Sequence, residues 1–164
     1  MSVPRAKKKK KQKDPAANPN NWQSRRITEA IRMCVAEAVW DGYNYYGYRQ
    51  KRIERIPKLF WDEMSKAHDR NATSKREARI AAAYIDVDII RECGFIMDLY
   101  IRDCYILCVS VMVQTLKLLK WSRKRLNVYV KLVLASVKDN DVYRFIAEVA
   151  KATGYNAVKE IVWS

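Results

Sequence analysis

From Ile27 onward, apolar residues recur at intervals of three and four. Ile27, Ile31, Cys34, Val35, Ala38 and Val39 mark one face of a first helix, with Ser24 as an acceptable N-cap. Tyr43, Tyr45, Tyr46 and Tyr48 then alternate with Gly42, Asn44 and Gly47, which predicts a bend near Gly47. Ile53, Ile56, Leu59, Phe60 and Met64 form a second stripe. Pro57 has no amide donor, so this helix either begins near it or bends there. The polar run His68–Thr73 predicts a loop, and Ser74 with Glu77 three residues later is the pattern of a capping box. Ile80, Tyr84, Val87, Ile89 and Ile90 carry the periodicity to Cys93, where Gly94 allows a break. Phe95–Leu119 reads as one long helix, apolar nearly all round in its middle, which belongs at the centre of a bundle. Trp121–Val137 follows, with Leu126, Tyr129, Leu132 and Val133 on one face. Val142–Ala152 comes after a cap at Asp139 or Asn140, Gly154 is a C-terminal stop, and Asn156–Trp163 adds a short terminal helix. The expected fold is all-α: a compact bundle of about five to six helices.

Composition agrees. Four Gly and four Pro in 164 residues are too few for the tight turns of a sandwich or barrel, and the length suits one domain. Residues 1–21 differ in character, combining lysine repetition with Pro4, Pro15, Pro19 and a run of Asn. Such a segment cannot bury enough apolar area to offset the entropy of ordering, so a disordered tail is expected over 1–21 and one helical domain over 22–164. Of the formal charge of +14, the first fourteen residues hold +6, which leaves a body that is itself basic. A basic body fits a polyanion, an acidic membrane surface or an acidic protein face. The most apolar run, Cys104–Val113, is about half of what a bilayer requires and is flanked by Asp98, Arg102 and Asp103, so a core helix and no membrane partner are expected. Cys34, Cys93, Cys104 and Cys108 lack the spacing of a secreted disulfide framework, and no signal peptide precedes them; reduced thiols in a cytoplasm are the expectation.

Two stretches repeat each other. Tyr48, Lys51, Arg52, Ile53, Ile56, Lys58 and Leu59 match Trp121, Lys124, Arg125, Leu126, Tyr129, Lys131 and Leu132 at a constant offset. Each follows an apolar helical stretch and opens an amphipathic one, so each predicts a helix–corner–helix hairpin, and two related hairpins would make a four-helix core. The first copy, Tyr45-Tyr46-Gly47-Tyr48 leading to Lys51-Arg52-Ile53, resembles an aromatic-Gly-aromatic corner followed by Lys-Arg-aliphatic in small helical proteins of Gram-positive phages and prophages. The second copy has Lys120 where the first has Gly47. That resemblance covers about twenty residues per copy. It implies a mobile-element origin and the cytoplasm of a bacterial host, and carries no activity with it.

The candidate binding residues are the tail lysines Lys7, Lys8, Lys9, Lys10, Lys11 and Lys13 and the two corners: Tyr48, Arg49, Lys51, Arg52 and Arg55 in one, Trp121, Arg123, Lys124 and Arg125 in the other. Cations beside flat rings suit phosphate contact with base stacking. The plainer reading puts the rings into the core. His68 is the only histidine, Cys104 and Cys108 lie in the most apolar helix, and Asp98 with Arg102, one turn apart, reads as an ion pair, so no metal, cofactor or catalytic site is expected. The functional expectation is a non-enzymatic protein that binds DNA or RNA largely through phosphates. The alternatives are an inhibitor that docks on a host nucleic-acid-processing enzyme or defence system, and a structural or assembly protein, with homo-oligomers possible.

Overall fold

A computed structural model describes residues 22–139 and 142–156. The lysine-rich segment 1–21, the cap considered at Asn140 and all but the first residue of the helix expected over Asn156–Trp163 lie outside the described residues. Among those described there are seven α-helices and no strand: α1 (Trp22–Tyr45), α2 (Gln50–Asp69), α3 (Ser74–Ala81), α4 (Ile89–Glu92), α5 (Leu99–Leu118), α6 (Arg123–Lys138) and α7 (Val142–Thr153), with a 3-10 turn over Cys93–Phe95. The all-α bundle expected from periodicity is the fold.

At its centre is α5, packed against α1, α2, α3 and α6. That surrounds its middle on all sides, and Tyr105, Ile106, Val109, Val111, Met112, Val113 and Leu116 are all buried. The helix runs over Leu99–Leu118, within the long helix expected over Phe95–Leu119. Among the described residues α5 is the one helix long and apolar enough to cross a membrane, but here its apolar faces are occupied by neighbouring helices. The α1–α2 and α5–α6 pairs are the two hairpins of the repeat, and α7 packs on α1.

Helix boundaries depart from the periodic pattern wherever a side chain competes for backbone groups. Ser24 is not a cap: α1 already runs through it, and its carbonyl accepts from Thr28 Oγ1 at 2.8 Å. Gly42 does not weaken α1, which continues to Tyr45. Pro57 lies inside α2, so the helix ladder gives up one bond to the Ile53 carbonyl, and His68 and Asp69 belong to that helix rather than to the loop. The expected capping box of Ser74 and Glu77 does not form. Thr73 is the N-cap, its Oγ1 accepting from Arg76 N, while Ser74 Oγ donates to Asp103. Glu77 is fully buried and takes both a guanidinium bond from Arg70 Nε at 3.2 Å and one from Gln114 at 3.0 Å.

The stripe from Ile80 to Cys93 is two elements, not one. The chain turns after Ala81 because Asp86 is clamped by Asn127, which accepts from its amide at 2.7 Å and donates to its carboxylate at 3.0 Å, and Asp88 caps α4. Similarly, α5 starts at Leu99 rather than Phe95, since Asp98 caps it by accepting from Ile101 N at 3.0 Å. Arg102 does not pair with Asp98; its Nε donates to the Ile96 carbonyl at 2.8 Å and holds the preceding turn. Ser122 caps α6, so Trp121 precedes that helix, and Asp139 closes α6 instead of opening α7. Gly154, at φ +79°, stops α7 as expected.

Candidate functional site

Both corners of the repeat end a helix with a left-handed residue followed by an aromatic ring. After α1 that residue is Gly47, at φ +65°; after α5 it is Lys120, at φ +71°. In the second corner Trp121 N donates to the Leu116 carbonyl at 3.1 Å and Lys120 N to that of Lys117 at 2.9 Å, the paired bonds of a Schellman motif. In the first, the Gly42 carbonyl accepts from Tyr46 N at 3.1 Å and Tyr48 N at 3.0 Å. Gly42 is required by the ring that folds back over it: a Cβ there would stand 2.7 Å from Tyr48 Cδ2.

The corners meet through their aromatics. Trp121 Nε1 donates to Tyr48 Oη at 3.1 Å, and Tyr46 lies against Trp121 with ring centroids 4.9 Å apart. At 6% and 1% exposed, Tyr48 and Trp121 are closed to an incoming base, so the stacking role considered for them falls to packing. The cations divide into two groups. Arg49 lies over the Tyr43 ring and donates to the Tyr48 carbonyl; Arg123 pairs with Asp86 at 3.0 Å and donates to the Ala83 carbonyl; Arg125 stacks on Tyr45, 3.3 Å from the ring centroid. These three are tied to the fold. Lys51, Arg55 and Lys124 are exposed, without hydrogen-bond or ion-pair partners among the described residues, and Arg52 has only the face of Tyr48, at 5.6 Å.

What the structure brings together is Arg52, Arg55 and Lys120. They line one groove of about 350 Å³ with Tyr48, Leu118 and Leu119, and no acidic side chain lines it. The start of α2 adjoins it, and neither α2 nor α6 carries an acid in its first turn. The other wall, Leu118 to Lys120, is the C-terminal end of α5, so the positive character of the groove comes from its three side-chain cations. Sequence reasoning misses Lys120, because beside Gly47 it reads as a departure from the first corner. The constant offset that aligns the two copies nevertheless places it at the turning residue.

Elsewhere, burial pushes the Cys104 thiol up to about 11 and that of Cys93 to about 12, and those of Cys34 and Cys108 are raised further, so all four stay protonated and none is a ready nucleophile. Among the described residues no three His, Cys, Asp or Glu side chains are grouped as metal ligands. No protein-family model, curated protein or solved structure is similar to the chain.

Proposed function

We propose that this protein binds nucleic acid through its phosphates, largely without reading sequence and without catalysis, as a mobile-element protein in a bacterial cytoplasm. The observation that carries the reading is the acid-free groove where Arg52, Arg55 and Lys120 converge beside the start of α2. Three cations converging on one acid-free groove are matched to an anion with several oxygens, and the polyester backbone of DNA or RNA presents such anions in series. Buried rings leave bases unread, which fits binding by backbone alone. The lysines at 7–11 and 13 would add phosphate contacts to those of the groove.

The test is binding of the full chain to unrelated single-stranded and duplex DNA and RNA over a salt series, against a variant with Arg52→Ala, Arg55→Ala and Lys120→Ala. Removing one cation–phosphate pairing lowers the slope of log affinity against log salt by about 0.9 on duplex DNA. The triple variant should therefore show a slope shallower by about two to three, with an unchanged helical circular dichroism spectrum. An unchanged slope assigns binding to the lysine-rich segment and removes the groove from the function. Absence of binding to every nucleic acid at moderate salt overturns the proposal, and an acidic protein becomes the partner to seek.

A further inference from the structure

Two acids occupy positions on α1 that the helix otherwise gives to apolar residues. Glu37 and Asp41 are one turn apart, 2% and 1% exposed, on the side that faces α6. Glu37 accepts from Ser136 Oγ of α6 at 3.3 Å. Asp41 is less provided for: both of its carboxylate oxygens are buried with no hydrogen-bond partner. Across the seam, Arg125 of α6 has its Nε and Nη2 buried and equally without acceptors, its guanidinium lying flat on Tyr45. A buried carboxylate without a donor is strongly destabilising unless something supplies a proton or a countercharge.

We propose that Glu37 and Asp41 share a single proton, and that this proton, with Arg125 as the countercharge, is the latch that holds α6 against α1. A protonated Glu37 is the donor Asp41 lacks, and the singly ionised pair then balances the one positive charge of Arg125. Loss of the shared proton leaves two negative charges facing one guanidinium in a closed seam, and the helices separate more readily.

Among the described residues Arg125 is the cation that bears on the pair. From α6 the neighbours are Ser136, Arg125 and the Tyr129 hydroxyl, whose proton is already given to the Cys34 carbonyl at 2.9 Å. From α1 itself comes the Cys34 thiol, which is uncharged. From α7, Arg144 and Glu148 border the cleft that Ser136 lines and are bonded to each other at 3.2 Å. On the α2 side, Arg49 is occupied with Tyr43 and the Tyr48 carbonyl. In this setting burial, and then the charge of Asp41, raise Glu37 from its usual range to about 9; burial raises Asp41 to about 6, with Arg125 opposing the rise.

Both acids are raised on folding, so the stability they confer is complete below their ordinary range. It is lost as pH rises through about 6 for Asp41 and about 9 for Glu37. The experiment is urea denaturation of the full chain between pH 5 and 9, for the wild type, Glu37→Gln and Asp41→Asn. The wild-type midpoint should fall as pH rises across this range. Glu37→Gln, which keeps the donor and cannot ionise, should raise the midpoint at pH 8–9 and flatten the upper part of the fall, whereas Asp41→Asn should flatten the part around pH 6. An unchanged fall in Glu37→Gln overturns the proposal, as does a midpoint lowered at every pH. If that variant fails to fold, the side-chain carboxyl carbon of Glu37 in the wild type decides by NMR. Protonated at pH 7 is the expected result, and ionised at pH 7 refutes the shared proton.

Discussion

Lys120 holds a left-handed backbone conformation, φ +71°, at the place where the matching corner uses Gly47. For a residue with a Cβ that conformation costs about 1–2 kcal/mol, and a glycine introduced there gives back roughly 0.5–1 kcal/mol through the greater freedom of the unfolded chain. Lys120→Gly should therefore stabilise the fold by about 0.5–1 kcal/mol, or a melting temperature higher by roughly 1–4 °C for a chain of this size. The same substitution removes one of three cations from the groove, so polyanion affinity should fall while stability rises. Lys120→Ala is the control: it removes the charge but keeps the Cβ, and should weaken binding without raising the melting temperature. Thermal melts followed by circular dichroism, with a binding isotherm at one fixed salt concentration, measure both effects. If Lys120→Gly melts at or below the wild-type temperature, or Lys120→Ala melts as high as Lys120→Gly, strain at this residue is not the reason. Equal affinity in all three proteins would place Lys120 outside the binding site.

Three further substitutions test how the corners and their supports are held. Gly42→Ala puts a Cβ 2.7 Å from the Tyr48 ring; overpacking of about 1–3 kcal/mol exceeds a helix-propensity gain of about 1 kcal/mol, so chemical denaturation should show a net loss of up to about 2 kcal/mol. Tyr48→Phe leaves the indole N–H of Trp121 buried without its acceptor, which should cost about 1–3 kcal/mol and alter tryptophan fluorescence; an unchanged denaturation midpoint would show that the bond contributes nothing. Arg70→Ala strands the fully buried Glu77 with Gln114 as its remaining partner. Loss of about 3 kcal/mol is expected at neutral pH, more than for Glu77→Gln, and the reverse order would refute the pairing as the cause.

Periodicity alone conveyed the bundle because long helices with few breakers leave little choice of architecture, and the central place of α5 follows from a middle that is apolar on every face. The ends of helices were less legible. Asp86 and Asp98 redirect the chain through bonds to Asn127 and Ile101, and the first of these joins residues forty-one apart in sequence, which no local pattern reveals. The site was half legible. A run of Lys and Arg marks both corners, but composition cannot separate Arg123, paired with Asp86, from Arg55, which has no hydrogen-bond or ion-pair partner among the described residues. The buried acids did leave a trace: with Cys34 at i, Glu37 and Asp41 stand at i+3 and i+7, positions that belong to the apolar stripe. Acids at such positions are marked for burial.

The two copies of the corner also differ at the ring that follows the left-handed residue, Tyr48 in one and Trp121 in the other, and that inequality has a chemical use. An indole N–H can only donate, whereas a phenol both donates and accepts. Because the rings meet in a closed interior, a Trp–Trp pair would bury two donors with no acceptor between them, at about 1–3 kcal/mol for each. One Tyr opposite one Trp closes the bond, at 3.1 Å, and leaves no ring polarity stranded on the indole. Trp121→Tyr should accordingly be tolerated better than Tyr48→Trp, because two phenols can still bond to each other while two indoles cannot. Urea denaturation of the two variants, with Tyr48→Phe and Trp121→Phe as controls that remove the bond without adding volume, compares the donor–acceptor balance with size. If Tyr48→Trp is the more stable, ring volume governs the contact and the hydrogen bond is incidental.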